Sequence, residues 1–277
     1  MGWHGSLALH YRSEDGHTRV HDRHDGPLRV LKSFHPEGDR VCHSVLVHPP
    51  GGIVGGDTLA IEIEIEPEAH ALVTTPGATR FYRSLGEPAT QTLGVRAAAG
   101  SRLEWLPLET LAYSGCIAEN RARFALAPGA EMIGWDLTAL GLPASDQPFV
   151  AGRFTQSIEL PGRWLERGTV RGDEPALLAS PLGWAGQRTL ATLWFAAGEA
   201  AIAPERRETL LDAARALCDA HALGRHAGAT AVDPSVVVVR VLAPRVEPAM
   251  DLLAAIWRAW RPLAWQLEAS PPRVWRT

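Results

Sequence analysis

The most constraining feature of this sequence is its division into short apolar or alternating runs, separated by turns rich in glycine and proline, over roughly the first 200 positions. Runs of this length and spacing are typical of β-strands. The clearest of them cover 41–47, 59–65, 71–75, 102–106, 121–126 and 189–195. No strict repeat period is present, so the pattern favours neither a propeller nor a regular solenoid. It predicts a mainly β protein.

Two segments near the C-terminus have the spacing of amphipathic helices instead. The first covers residues 204–223 and the second 248–260, where the apolar stripe includes tryptophans that we expect in the core. Pro262 is expected to end the second helix. Between the two helices, 236–241 is an unbroken β-branched run, which predicts a strand buried on both faces.

The length and composition bound the class of protein. The chain has 277 residues and no linker or low-complexity tract, so we predict a single domain over 1–277. Its formal net charge is -4, so the chain has no overall positive charge that would attract nucleic acid. No leader is visible, and no run approaches the roughly 18 apolar residues of a membrane span. The three cysteines lack any C-x-x-C pair, which is typical of a protein in the reducing cytoplasm.

The densest glycine cluster is the segment 49–57, which reads PPGGIVGGD. It has neither a G-x-G-x-x-G register nor a G-K-S/T ending, and a strand pattern follows where a nucleotide-binding loop needs a helix. The glycines instead predict backbone conformations or close approaches that a Cβ would forbid. Because the cluster ends at a fixed carboxylate, Asp57 is a candidate functional residue. Hydrogen bonding within a tight turn is the alternative for Asp57.

The next segment, 61–66, alternates isoleucine and glutamate. The alternation predicts a half-buried strand with Glu62 on its polar face. Glutamates on that face are about 7 Å apart at the backbone, whereas oxygen ligands lie about 2 to 2.6 Å from a single ion. This strand alone therefore does not build a closed metal cage. A solvated face and a series of weak cation stations both stay open.

Histidine and tryptophan are unevenly distributed. Nine of the eleven histidines lie in the first 70 residues, without an organised ligand motif. We interpret the polar segment 12–39 as a flexible or edge segment, less well ordered than the middle of the chain. Near the C-terminus, tryptophan is interleaved with arginine, a combination that anchors protein interfaces. We therefore predict that Trp265, Arg273 and Trp275 contact a partner.

The residues reveal no complete catalytic set. Ser114 lacks the G-x-S-x-G elbow of a nucleophile. Glu104 and Glu109 are carboxylates that a glycosidase could pair on a β scaffold. Two alternatives follow: a β-fold carbohydrate-active hydrolase with paired carboxylates, and a single-stranded nucleic-acid binder that uses the C-terminal Trp/Arg segment.

Five segments, in the same order, resemble the urease accessory protein UreD family, called UreH in some organisms. They are the glycine loop 49–57, Thr74-Thr75 leading to Tyr82-Arg83-Ser84, the segment LEWLPLET at 103–110, the strand and helix exit around 239–262, and PRVW at 272–275. Together they span more than 200 residues. The chain departs from the family at 141–147, where an arginine and a glutamate that are frequent in the family are missing.

The resemblance implies a mainly β fold, a helical or stacked β-sheet arrangement with two α-helices in the C-terminal half. It implies a maturation factor that is not an enzyme, which joins UreF and the GTPase UreG, binds urease apoprotein and helps to deliver nickel. No cofactor is expected to bind tightly, and Ni(II) only transiently. The family is also thought to pass nickel through an internal passage. On that basis we expect Asp57 and Glu62, with Glu109 and Asp136 as lesser candidates, along the route.

Overall fold

The chain winds back and forth between two β-sheets that pack face to face, with helices on the outer side of one sheet. The structure is a computed structural model and describes residues 2–199 and 201–276. Its strands are β1 (His4–Glu14), β2 (His17–Asp25), β3 (Arg29–Phe34), β4 (Val41–Val47), β5 (Thr58–Ile65), β6 (His70–Thr74), β7 (Thr79–Phe81), β8 (Ala89–Ala97), β9 (Arg102–Leu106), β10 (Thr110–Ala112), β11 (Ile117–Leu126), β12 (Glu131–Leu140), β13 (Arg153–Leu160), β14 (Trp164–Arg171), β15 (Thr189–Ala197), β16 (Ala227–Asp233) and β17 (Val236–Ala243). Its α-helices are α1 (Pro175–Ala179), α2 (Pro204–Ala220) and α3 (Val246–Trp265).

Successive strands in the middle of the chain alternate between the two sheets. The first sheet has the order β14-β13-β11-β8-β5-β1-β2, and the second has the order β16-β17-β15-β12-β9-β6-β4-β3, with β10 beside β12 and β7 beside β10. Strands β1, β5, β8, β11 and β13 are parallel neighbours, as are β4, β6, β9 and β12. Parallel neighbours need a crossover, and here each crossover includes a strand of the opposite sheet. The predicted mainly β, stacked arrangement with two long C-terminal helices is confirmed.

The second sheet is the middle layer of the molecule. On β17, Val236 and Val238 pack against the first sheet, whereas Val237 and Val239 pack against the helices. The predicted strand buried on both faces is therefore confirmed. The first sheet covers the core with one face only: the isoleucines of β5 point inward and its glutamates point outward, as the alternation predicts. The six predicted strands all form, with ends displaced by at most four residues.

Two expectations about local structure need correction. Helix α3 does not end at Pro262 but continues to Trp265, because Trp265 buries its side chain against the second sheet and the N–H of Gln266 closes the last turn on the Pro262 carbonyl, 3.0 Å away. The polar segment 12–39 contributes to β1 and contains β2 and β3, which are edge strands, so the edge interpretation holds and the flexible one is wrong. In the described part of the chain, none of the helices is long and apolar enough to cross a membrane.

A buried ion network joins α3 to the second sheet. Glu104 on β9 accepts hydrogen bonds from His70 (2.8 Å), Arg261 (3.1 Å) and Trp257 (2.6 Å). Arg261 also donates to Glu37, 2.6 Å away, in the turn between β3 and β4. Burial alone would raise the pKa of Glu104, but its contacts with His70 and Arg261 lower it overall, so the carboxylate stays ionised. The network therefore fixes where α3 sits on the sheet.

We expect Glu104→Ala to lower the free energy of unfolding by roughly 3 kcal/mol, because it removes one of the two carboxylates that compensate the buried charge of Arg261 and also removes the acceptor of the Trp257 indole. Urea unfolding followed by circular dichroism measures the change. The matched control is Glu64→Ala, which breaks the exposed pair of Glu64 with Arg96 and is expected to cost about 1 kcal/mol or less. Equal losses in the two variants would contradict a structural role for the network.

Candidate functional site

A cavity of about 320 Å³ lies between the two sheets. The loops 48–53, 75–80 and 107–108, which follow β4, β6 and β9, form the wall at one edge of the sandwich. Deeper between the sheets the wall includes the side chains of Gln91, Asn120 and Asp136. A space lined in this way can hold water or a small hydrated ion, because polar partners converge on it.

Polar side chains form a row across the inner face of the first sheet. Gln91 on β8, Asn120 on β11 and Gln156 on β13 occupy matching positions in the parallel register. The Gln91 amide donates to Asn120 over 3.2 Å, whereas neither side-chain amide atom of Gln156 has a partner at full hydrogen-bond geometry among the described residues, although Gln156 lies close enough to Asp136 to lower the pKa of that carboxyl. An unpaired buried amide costs about 1–3 kcal/mol. The row therefore carries hydrogen-bonding capacity that the chain itself does not use.

A second polar row faces the first from the inner side of the second sheet. Asp136 on β12, Thr192 on β15 and Arg240 on β17 are cross-strand neighbours. The adjacent row, which contains Trp194 and Val238, belongs to the apolar core. We refer to Gln91, Asn120, Asp136, Gln156 and Thr192 as the interior polar cluster. The cluster crosses an otherwise apolar interior as a single band.

Asp136 supplies the carboxylate of the interior polar cluster. Burial raises the pKa of Asp136 to about 6; a hydrogen bond from Thr138 (3.1 Å) opposes the rise, and the nearby charge of Glu166 adds to it. The side chain is therefore mostly ionised at pH 7 and mostly protonated at pH 5. A cation that binds at Asp136 would compete with a proton in this range.

The glycine loop holds Asp57 in a tight turn. Gly52 packs against the ring of Tyr82 so closely that a Cβ would lie 2.0 Å from it, which confirms the predicted close approach. The carboxylate of Asp57 accepts the backbone N–H groups of Trp3 (2.7 Å) and Val54 (3.0 Å). The hydrogen-bonded turn that the sequence left as an alternative is thus present. A role for Asp57 in metal transfer stays a prediction.

The predicted carboxylates do not converge on one place. Asp136 lines the cavity, and Asp57 lies near His48 in the cavity wall, where burial lowers the pKa of His48 and the charge of Asp57 partly opposes that effect. Glu62 lies on the outer face of the first sheet, so the sheet itself separates it from the cavity. Glu109 is half-buried in the turn between β9 and β10. Within residues 2–199 and 201–276, no three His, Cys, Asp or Glu side chains are placed to hold a metal ion together.

Sequence reasoning missed most of the interior polar cluster. Gln91, Asn120 and Gln156 each stand at an inward position of a strand whose other inward residues are apolar. The sequence signal that could have identified them is the alternation itself, because a polar residue at a position where the alternation predicts an inward, apolar side chain is unusual. The sequence did not show that these three positions come together.

The C-terminal residues predicted to contact a partner have different environments. Trp265 is 5% exposed, and its indole donates to Glu131 over 2.7 Å. Trp275 is half-buried and donates to Thr74 over 2.8 Å. Arg273 is exposed. Partner contact through the three stays a prediction, and Arg273 is the residue whose side chain is open to a partner in this conformation.

Comparison with known proteins shows similarity along nearly the whole chain. A family model described as "UreD urease accessory protein" matches residues 4–276. The urease accessory protein UreD of Paracidovorax citrulli is 61% identical over 275 residues, which cover 99% of each chain. The proteins of the same name from Leptothrix cholodnii and Variovorax paradoxus are each 58% identical, over 279 and 277 residues, with complete coverage of both chains.

The raised pKa of Asp136 predicts a pH-dependent stability difference. The folded state binds the Asp136 proton more tightly than the unfolded state, so stability from this group is greatest below about pH 4 and is lost as the pH rises to about 6. Relative to the wild type, Asp136→Asn should therefore gain about 3 kcal/mol in unfolding free energy between pH 4 and pH 7.

Urea unfolding of both proteins at pH 4, 5, 6 and 7 measures this difference. Glu62→Gln, which removes one carboxylate from the outer face, is the matched control for the loss of charge. A constant difference between Asp136→Asn and the wild type across this range would show that Asp136 is not held with a raised pKa.

Proposed function

Because the chain belongs to the UreD family of urease accessory proteins, we propose that it works with UreF and the GTPase UreG to bring nickel into urease apoprotein. Its relatives are named for an accessory role, which is one of maturation and not of catalysis. The chain is therefore not an enzyme. A cytoplasmic location, expected from three cysteines that are unpaired in the fold, stays a prediction.

The observation that carries the proposal is the interior polar cluster. Its residues lie between two apolar sheet faces, and Gln156 has no partner there at full hydrogen-bond geometry among the described residues, its nearest polar group being the Asp136 carboxylate whose pKa it lowers. Buried polar groups of this kind are costly for stability. Transport of Ni(II) would account for this loss of stability, since the ion accepts carboxylate, imidazole and water ligands.

The spacing of the possible ligands suits a transiently bound ion better than a tightly held one. His48 stands in the wall at the loop end, and Asp136 lies deeper. These side chains belong to different strands or loops and do not form a closed ligand set. A divalent ion held by one or two protein ligands and water is released readily, whereas a closed site of three or four ligands retains it. Asp57 near His48 completes the proposed line of weak ligands, and Ni(II) is the substrate that moves along it.

Two other functions considered from the sequence are not favoured by the placement of their residues. A glycosidase pair would need Glu104, but this carboxylate is fully buried and already binds His70, Arg261 and Trp257. A single-stranded nucleic-acid binder would need open indoles for stacking. Trp257 lies in the core instead, as predicted.

The proposal predicts that Asp136→Ala lowers nickel-dependent urease activation. In a strain that lacks this chain but carries urease and the other accessory proteins, wild type should restore urease activity at scarce nickel. Asp136→Ala should restore roughly tenfold less, the scale on which groups beside a metal act. Asp57→Ala tests, in the same way, the end of the proposed route at the glycine loop. Glu64→Gln on the outer face is the control and should match wild type.

Urease activity per amount of urease protein, together with its nickel content, is the measurement. Co-purification of each variant with UreF shows whether the accessory complex still forms. Full metallation of urease at scarce nickel without this chain would refute the proposed function. Normal activation by Asp136→Ala would refute the route through the cluster but not the accessory role.

A further inference from the structure

We propose that the interior polar cluster has a second end at the β14 edge of the first sheet, and that the ion pair between Glu166 and Arg240 closes it. The identity of the transported ion, Ni(II), rests on the proposed function. The closure by the ion pair follows from the packing alone.

The closing pair continues the row of the second sheet. Arg240 is the cross-strand neighbour of Thr192, which in turn neighbours Asp136. Adjacent strands are about 4.8 Å apart, so Asp136 and Arg240 are about 10 Å apart at the backbone. Glu166 lies on β14, the last strand of the first sheet, and reaches across to the second sheet. It accepts hydrogen bonds from Arg240 (Nε, 2.9 Å, and Nη2) and from the hydroxyl of Thr192 (3.3 Å).

Open space lies on both sides of this contact. Asp136 is in the wall of the interior cavity, and Arg240 is in the wall of a surface pocket of about 410 Å³ that also includes Leu190 and Trp184. Thr192, which lies between the two spaces, is 3% exposed. Thr192 and Glu166 thus form a thin polar partition between the interior and the surface.

The pair can open at small cost. The side chain of Arg240 is 44% exposed and that of Glu166 is 21% exposed, and ion pairs as open as this are weak. While the pair is closed, Arg240 neutralises the charge of Glu166 and occupies its carboxylate, so that this carboxylate is not available to a cation at Asp136. When Arg240 moves away, the carboxylate of Glu166 becomes a ligand of the kind that divalent cations accept. One movement of Arg240 therefore frees the next oxygen ligand beyond Asp136.

Cysteine labelling of the full-length chain tests the closure directly. Thr192→Cys places a thiol in the partition, and the three native cysteines are buried. The rate of modification by a cationic methanethiosulfonate reagent is compared with the rate for an anionic reagent of similar size. Adding Arg240→Ala should raise the cationic rate by about fivefold or more, the factor expected for loss of a weak ion pair, and the anionic rate by less. Arg167→Ala, which removes an exposed arginine beside Glu166, is the matched control and should leave both rates unchanged.

An unchanged cationic rate in Arg240→Ala, or the same acceleration in Arg167→Ala, would overturn the closure. Near-ultraviolet circular dichroism verifies that each variant is folded. If Arg240→Ala is not folded, Glu166→Gln replaces it; because this variant leaves the guanidinium without its counter-charge, the anionic rate should rise more than the cationic rate. This labelling measurement does not involve urease. If the chain failed to support urease activation, the proposed function would be refuted but the closure by the ion pair would not.

The role of the pair in holding nickel is tested by urease activation with a competing chelator. With Thr192 restored, Arg240→Ala should activate urease at least about twofold less well than wild type, because an open end lets the ion escape. Faster labelling of the thiol together with unchanged activation would overturn this role.

Discussion

The parallel register of the coil is the constraint on which the rest of the molecule depends. From β5 to β13, each strand of the first sheet is followed by one or two strands of the second before the chain returns. Residues 29 and 36 positions apart, from Gln91 to Asn120 and from Asn120 to Gln156, therefore become cross-strand neighbours. A shift by one residue would turn each of these side chains to the outer face and bring outward residues such as Arg121 and Ser157 into the interior, where burial of a charge is costly. The interior polar cluster exists because the register is kept over three strands.

The buried polar groups on the two faces of the second sheet differ in how fully they are hydrogen-bonded. On the helix side, Glu104 is paired with Arg261 and His70, so its charge is compensated and α3 is held in one position. On the side of the first sheet, Asp136 has a raised pKa, and Gln156 beside it has no partner at full hydrogen-bond geometry among the described residues. A satisfied network rigidifies a structure, whereas an unsatisfied one leaves capacity for a ligand. The sheet thus has a rigid support on one face and an adaptable lining on the other.

This arrangement gives the proposed route its physical character. The glycine loop brings Asp57 near His48 at one edge, Asp136 lies between the sheets, and Glu166 is held by Arg240 at the other edge. Strand spacing places Thr192 about 5 Å from Asp136 at the backbone, and the hydroxyl of Thr192 donates to Glu166, so these groups follow one another without building a closed ligand set among the described residues. On the proposed route, a cation is passed on without being retained.

The sequence by itself determined the strands, the two helices and the faces they bury, since alternation and helical spacing are local patterns that hydrophobic burial enforces directly. It also identified the family, through five ordered segments. Only the tertiary structure decided that Pro262 lies inside α3, that Trp265 is buried, and that the interior polar cluster forms. These outcomes depend on pairs such as Glu104 and Arg261, 157 positions apart, and no local pattern specifies which distant residues the register will bring together.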